Sequence, residues 1–278
     1  MPFISITTDF GQKDGFVGTM KGVIWRICPE AQIADITHDV PPQDILNGAI
    51  ALWRAAPFFP PGSVHLAVVD PGVGTQRRPM AAQIGEQYVV GPDNGLFTPM
   101  ITEAEKANLN LRFIYLNNPA YWLPEVSSTF HGRDIFAPVA AYLAGGVLLD
   151  HLGTPFHDPV RFELPQAERT PEGWMAHVTV VDVFGNLTTD LPVAALGGRR
   201  DVVIRLHGRQ VDGIVESYGH RRSGELIALM DSEGFLELAV VNSSAARLLD
   251  AKIGDDVHVI MPRQTGDLAG RLRTANPG

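Results

Sequence analysis

Apolar and polar positions change rhythm along this chain, and the change falls near residue 160. In the first half, short apolar runs alternate with segments of helical spacing. Phe3–Thr8 reads as a buried strand ending at Asp9. Gly15–Cys28 carries Phe16, Met20, Val23, Ile24 and Ile27 on one helical face, and Pro29 stops it. Gln32–Ile36 is a second strand. Asp44–Ala56 is a second helix, with Ile45, Ala49, Leu52 and Trp53 on one side. Ser63–Val69 is a third strand, ending at Asp70. Ala81–Val90 holds two short strands around Gly85-Glu86, and Asp134–Ala144 is a third helix that follows His131. Strands separated by helices of this length predict βαβ units, hence an α/β domain with a largely parallel sheet over residues 1–160.

Beyond it the period becomes two. Pro159–Gly173, with Pro159, Pro165 and Pro171, reads as a linker. His177–Val181, Val202–Leu206 and Val257–Met261 then alternate or run apolar as strands, and Ala245–Leu249 makes one helical turn. Short strands separated by turns predict a smaller all-β, barrel-like domain over 170–264. Residues 265–278 read as a polar tail.

Composition narrows the function classes. The 278 residues are 45% hydrophobic and 19% charged, as in a globular protein. The formal net charge is −9, and Arg199-Arg200, Arg221-Arg222 and Lys252 are scattered rather than clustered. Nucleic acid is therefore not an expected partner, since phosphates need grouped Lys and Arg. The one cysteine, Cys28, sits in an apolar run and reads as a buried thiol in a reducing compartment. No apolar run reaches the ~18 residues of a membrane span. The chain starts directly on strand-like Phe3-Ile4-Ser5-Ile6, with no basic-then-apolar leader pattern, so a cytoplasmic location is expected.

In a parallel sheet with helices, ligands bind beyond the carboxyl ends of the strands. Asp9 and Asp70 lie at such ends. Asp9 suits a pair of ribose hydroxyls or, equally, a turn bonded to its own backbone. The Asp70-Pro71-Gly72-Val73-Gly74-Thr75 loop lacks the Gly-Lys-Ser/Thr ending of a P-loop. Arg77 can fold back across it to Asp70, as a structural ion pair or as a device that keeps the carboxylate ionised. His131 precedes a helix that Thr129 or Asp134 could cap, and the glycine after it allows an exposed imidazole. Asp182-Val183-Phe184-Gly185-Asn186 interrupts a β pattern. It is either a hairpin turn with a core Phe184 or an adenine contact in which Phe184 stacks and Asn186 hydrogen-bonds. Asp9, Asp14, His38, Asp39, His131 and Asp134 could supply metal ligands, but no His-Glu-x-x-His, Cys-pair or EF-hand spacing is present.

Five segments in order, Thr8–Gly11, Val69–Thr75, Gly91–Gly95, Thr129–Asp134 and Asp182–Asn186, resemble the S-adenosylmethionine hydroxide adenosyltransferase family, relatives of the fluorinating and chlorinating enzymes that use the same substrate. The likeness runs from Ile4 to about Met261. It implies hydrolysis of S-adenosylmethionine to adenosine and methionine with no cofactor. It also implies a homotrimer in which substrate lies between the first domain of one subunit and the second domain of its neighbour. Asp70, Arg77 and His131 match the family's water-activating triad, and Asp9 its ribose-binding carboxylate. Asp182 and Ser232 match the positions that hold the methionine ammonium and carboxylate. Phe184 and Asn186 match adenine contacts, and Tyr218 matches, across a one-residue gap, an aromatic that stacks on adenine. Halide-using relatives carry Tyr at position 70, Thr at 73 and Ser at 132, where this chain has Asp70, Val73 and Gly132. They carry Arg where it has Glu233. Two rivals stay in view: a nucleoside-binding protein without turnover, and a metal-dependent phosphohydrolase.

Overall fold

Strand β1 (Phe3–Thr8) is covered on both faces, which explains its nearly unbroken apolar and small-residue run. Helix α1 (Phe16–Ile27), β2 (Gln32–Thr37), α2 (Ile45–Ala55) and β3 (Val64–Val68) follow in turn. Next come β4 (Pro79–Ile84), β5 (Gln87–Pro92), α3 (Thr98–Lys106), β6 (Leu111–Tyr115), α4 (Ala137–Ala144) and β7 (Thr154–Phe156). This computed structural model describes residues 2–262, so the tail expected at 265–278 lies outside the described residues. The chain divides into two compact units between Leu164 and Pro165.

The sheet of the first unit runs β2-β1-β3-β5-β4-β6-β7. Its β2–β1, β1–β3 and β3–β5 pairs are parallel, whereas β5–β4, β4–β6 and β6–β7 are antiparallel. The expectation of a largely parallel sheet is thus corrected to a mixed one. The cause is local: Gly85-Glu86, with Gly85 at φ 59°, closes a two-residue hairpin that can only join antiparallel strands. One face of the sheet packs Ile4, Ile6, Leu66 and Val68 with Met20, Val23 and Ile24 of α1 and with α4. The other packs Ala67, Val69, Met80 and Ala82 with Ala49 and Leu52 of α2 and Met100 and Ile101 of α3. Helix α2 starts where expected because Asp44 caps it, accepting from Asn47 N at 3.0 Å. Ser5 and His65, opposite each other on β1 and β3, are fully buried, with Oγ and Nδ1 2.7 Å apart.

Part of the expected linker belongs to this unit. Arg78 bonds Asp158 at 2.9 Å, Val160 N donates to Asp93 Oδ1 at 2.7 Å, and Phe162 N donates to Thr98 Oγ1 at 3.4 Å. Among the described residues, no helix is long and apolar enough to cross a membrane.

The second unit holds β8 (Glu168–Arg169), β9 (Gly173–Val181), β10 (Leu187–Pro192), β11 (Val203–Leu206), β12 (Arg209–Asp212), β13 (Leu226–Met230), β14 (Phe235–Val240), helix α5 (Ala245–Leu249) and β15 (Asp256–Ile260). The order is β12-β11-β15-β9-β10-β14-β13, with β8 added on β9. Every pair is antiparallel, and β12 lies near β13, so the sheet curls into a nearly closed barrel. Ala176, Val178, Leu187, Leu191, Ile204, Leu238, Val257 and Val259 fill its interior, with α5 as a plug.

Candidate active site

Because β1 and β3 are parallel neighbours, the residues that follow them emerge side by side at one edge of the first unit. Asp9 comes directly after β1, and Asp70 two residues after β3. The loop beyond Asp70 then doubles back through successive turns. Val73 N donates to Asp70 O and Thr75 N to Gly72 O, each at 3.2 Å, while Thr75 Oγ1 donates to Gly72 O at 2.7 Å. These turns return Arg77 to the start of the loop. Its Nε donates to Asp70 Oδ1 at 3.0 Å and its Nη2 to Asp70 Oδ2, the two-pronged geometry that suits a guanidinium and a carboxylate. The same Nη2 lies 3.2 Å from His131 Nδ1. The Arg77 and Asp70 side chains are only 7% and 5% exposed, and the guanidinium lies over the Phe136 ring, 5.2 Å from its centre.

An arginine nitrogen can only donate, so Nδ1 of His131 must accept and a neutral ring carries its proton on Nε2. Burial and the Arg77 charge hold the imidazole below its ordinary pKa, against the opposing pull of Asp70 and Asp134. His131 is therefore neutral at neutral pH. It is half-buried at the entry to a π-helical turn, Gly132–Phe136, which leads into α4. Neither proposed cap has that role. No side chain caps this turn or α4; fully buried Asp134 instead accepts from Ser127 N at 2.8 Å, Ser127 Oγ at 2.7 Å and Arg133 Nε at 2.6 Å. It fixes the loop that delivers His131.

Gly74 joins the two loops. It sits at φ 75°, and a methyl group there would collide with the Ser128 carbonyl. We expect Gly74→Ala to push the Ser127–His131 loop away from Arg77 and lower turnover about tenfold or more, because sub-ångström displacement of reacting groups is costly. Steady-state kinetics beside a thermal melt checks this; an unchanged kcat in a folded variant would show that the contact does not position His131.

The Gly91–Gly95 segment, without a role in the sequence reading, supports the Asp70 loop. Asn94 Nδ2 donates to Val69 O at 2.8 Å and so pins the residue before Asp70. Asp93, nearly fully buried, accepts from Arg78 Nε at 2.8 Å. Asp9 is half-buried and accepts from Gln43 N at 2.8 Å, which leaves it lone pairs for other donors. Among the described residues no three His, Cys, Asp or Glu side chains group as metal ligands.

The second unit carries its own set of polar and aromatic side chains on the connections between its strands and on β14. Asp182 Oδ1 accepts from Phe184 N at 2.9 Å and Asn186 N at 2.8 Å, and its Oδ2 accepts from Asn186 Nδ2 at 3.0 Å. This tight turn leaves Phe184 74% exposed, so the ring is not part of the barrel core. Asn186 keeps its carbonyl oxygen as an acceptor. Tyr218, 44% exposed, donates its hydroxyl to Glu237 Oε1 at 2.7 Å. Burial, then Glu237, Asp182 and Asp231, push the phenol pKa up, so it stays protonated. Ser232 Oγ donates to Glu233 Oε1 at 2.9 Å in the β13–β14 turn, whose Asp231 accepts from Phe235 N at 2.8 Å. Glu237 went unnoticed in the sequence; its signal was a charged residue inside the apolar run Phe235–Val240.

The first unit, a mixed sheet, carries a buried carboxylate–guanidinium pair with a half-buried imidazole beside it, the second, an antiparallel barrel, a more exposed polar and aromatic set, and comparison with known proteins gives the chain a family. The chain belongs to the SAM hydroxide adenosyltransferase family: the family's N-terminal domain matches residues 4–153 and its C-terminal domain residues 176–258. A Salinispora tropica relative, (R)-S-adenosyl-L-methionine hydrolase, is 42% identical over 93% of this chain and 97% of its own. A Thermus thermophilus protein of the same description is 38% identical over 91% and 97%. A fluorinase from Nocardia brasiliensis is more distant, 28% identical over 93% and 96%. The crystal structure of a conserved protein from Thermotoga maritima superposes with a TM-score of 0.85 at 36% identity, over 92% of this chain and 99% of that one.

Proposed function

We propose that this chain hydrolyses S-adenosyl-L-methionine to adenosine and L-methionine by in-line attack of water on C5′. The observation that carries the reading is the convergence of Arg77 and His131 on Asp70, beyond the carboxyl end of β3 and beside that of β1. A sulfonium leaves as a neutral thioether, so the difficulty lies with the nucleophile. Holding water in line with the C5′–S bond supplies an effective molarity on the order of 10⁵ M. Asp70 is the acceptor for the water's proton, because Arg77 already occupies the Nδ1 lone pair of His131. Arg77 orients Asp70 and stabilises the hydroxide character that develops. Neutral His131 fixes the guanidinium from its other side. An anionic Asp70 also repels a halide, which separates this chemistry from that of the fluorinases.

In this reading Asp9 holds the ribose hydroxyls. Phe184, Asn186 and Tyr218 take the adenine, and Asp182 and Ser232 the methionine ammonium and carboxylate. The second-unit residues act on substrate held by a neighbouring subunit of a homotrimer, which native mass measurement tests. No cofactor takes part. Support comes from the family membership and from hydrolases that match this chain nearly end to end. The test is incubation with S-adenosyl-L-methionine in the presence of EDTA, followed by chromatography. Equimolar adenosine and methionine are expected. Substrate that binds unchanged would favour a nucleoside-binding protein, and activity abolished by EDTA a metal-dependent hydrolase.

A further inference from the structure

Asp9 leaves β1 between two neighbours that are both fastened to one histidine. On one side, fully buried Thr8 places its hydroxyl 2.8 Å from His38 Nδ1. On the other, Gly11 N donates to the His38 carbonyl at 2.8 Å. Phe10 N, between them, donates to the same Thr8 oxygen at 3.3 Å. Asp9 itself accepts from Gln43 N, whose residue holds a left-handed φ of 67°. His38, one residue past β2 and 3% exposed, is fixed in turn from behind: its Nε2 lies 3.1 Å from Asp35 Oδ1, and Lys21 Nζ bonds Asp35 Oδ2 at 2.6 Å. A row of side chains, Lys21–Asp35–His38–Thr8, therefore runs from the surface of the first unit to the turn that presents Asp9.

We propose that His38 is a positioning residue for Asp9, acting through Thr8, and that this row sets how selectively the ribose hydroxyls are gripped. The inference rests on the hydrolase reading above, in which Asp9 is the ribose carboxylate. A carboxylate that accepts from two vicinal hydroxyls must be held to within about half an ångström, which requires a supporting layer whose own rotamers are locked. A histidine bonded through Nδ1 to Thr8 and through its own carbonyl to Gly11, with the Asp35 carboxylate close behind Nε2, is such a support in a buried and weakly screened place. His38 needs no contact with substrate to act. A histidine that only filled space would not need its ring nitrogen and its carbonyl both tied to the residues that bracket Asp9.

The two nitrogens can be separated by substitution. Asn at 38 places an amide near the Nδ1 position and keeps Thr8; Gln reaches the Nε2 position and keeps Asp35 while losing Thr8. Thr8→Val removes the hydroxyl at constant shape, and Thr8→Ser restores it. Calorimetry with adenosine and 3′-deoxyadenosine reads the grip directly, beside kcat and KM for S-adenosyl-L-methionine. The wild type is expected to prefer adenosine by about tenfold or more, the worth of one hydrogen bond to a charged acceptor. Thr8→Val and His38→Gln should cut that preference to about threefold or less and raise KM, with kcat changed much less. Thr8→Ser and His38→Asn should keep the wild-type preference. If Thr8→Val and His38→Gln melt earlier but discriminate as the wild type does, the row is structural and the proposal fails. A wild type that turns over substrate yet binds both nucleosides alike overturns the Asp9 role, and the proposal with it. A wild type that discriminates but releases no adenosine overturns the hydrolase reading alone.

Discussion

Replacing Asp70 with Asn lowers kcat by about 10²–10⁴-fold, the usual worth of a positioned general base, while adenosine still binds. The carboxylate is 5% exposed, and Arg77 meets both of its oxygens. An amide of the same shape cannot accept from both prongs and carries no charge to draw a proton from water. The loss should fall on turnover rather than on affinity, because the interaction with a developing hydroxide exists only in the transition state. The variant also leaves a guanidinium that is 7% exposed without its counter-charge, so some thermal stability goes too. Adenosine affinity measured on the same sample separates the two effects. Arg77→Lys makes the companion experiment: one ammonium cannot bond both carboxylate oxygens and His131 Nδ1 in that fixed fork, and turnover should fall in the same direction. Adenosine release by Asp70→Asn at the wild-type rate would remove Asp70 from the chemistry.

Acid should destabilise the first unit through His65. The ring is fully buried between β1 and β5, bonded to Ser5 and edge-on to Phe59. Burial pulls its pKa down from 6.5 to about 4, against a weaker opposing contribution from Gln87. As pH falls below 6.5, the unfolded chain takes up a proton that the folded chain refuses. Stability then drops by about 1.4 kcal/mol per pH unit until about pH 4, on the order of 3 kcal/mol in all. Above pH 6.5 the group contributes no slope. His65→Asn keeps a hydrogen-bonding atom near Nδ1 but cannot titrate. Urea unfolding at pH 7.5, 5.5 and 4.5 should show a markedly shallower acid decline in the variant. Parallel declines in the two proteins would mean that His65 is not the group responsible.

How far the sequence carried the fold depended on how strongly each segment repeated. β1, α1, β2, α2 and β3 were legible because apolar runs or helical spacing are sustained over five or more residues and are bounded by Asp9, Pro29, Asp44 and Asp70. A largely parallel sheet was expected although the Gly85-Glu86 hairpin that sets β4 antiparallel to β5 was visible. α3 escaped because only Met100, Ile101 and Ala104 mark its buried face within a polar run. β6 and β7 are short, and most of the barrel strands alternate too briefly to stand out before pairing covers them.

The candidate site divides the same way. Asp70 and Arg77 are seven residues apart, and the glycines between them already implied a loop that folds back. Their meeting with His131, 54 residues from Arg77, depends on Asp134 and Gly74 gripping the loop from two sides, which no spacing reveals. Asp134 read as a cap because acids often start helices; its full burial beside Arg133 and Ser127 gave it different work. The supporting roles of Thr8, His38 and Glu237 were not legible, because buried polar partners acquire meaning only from the groups packed against them.

Turnover in water enriched in ¹⁸O tests the central claim most directly. Attack of solvent on C5′ places the label in the 5′-hydroxyl of adenosine, one atom per molecule formed, and leaves methionine unlabelled. Adenosine that lacks the label, or a label found in methionine, would contradict a water molecule held by Asp70 and Arg77 in line with the carbon–sulfur bond.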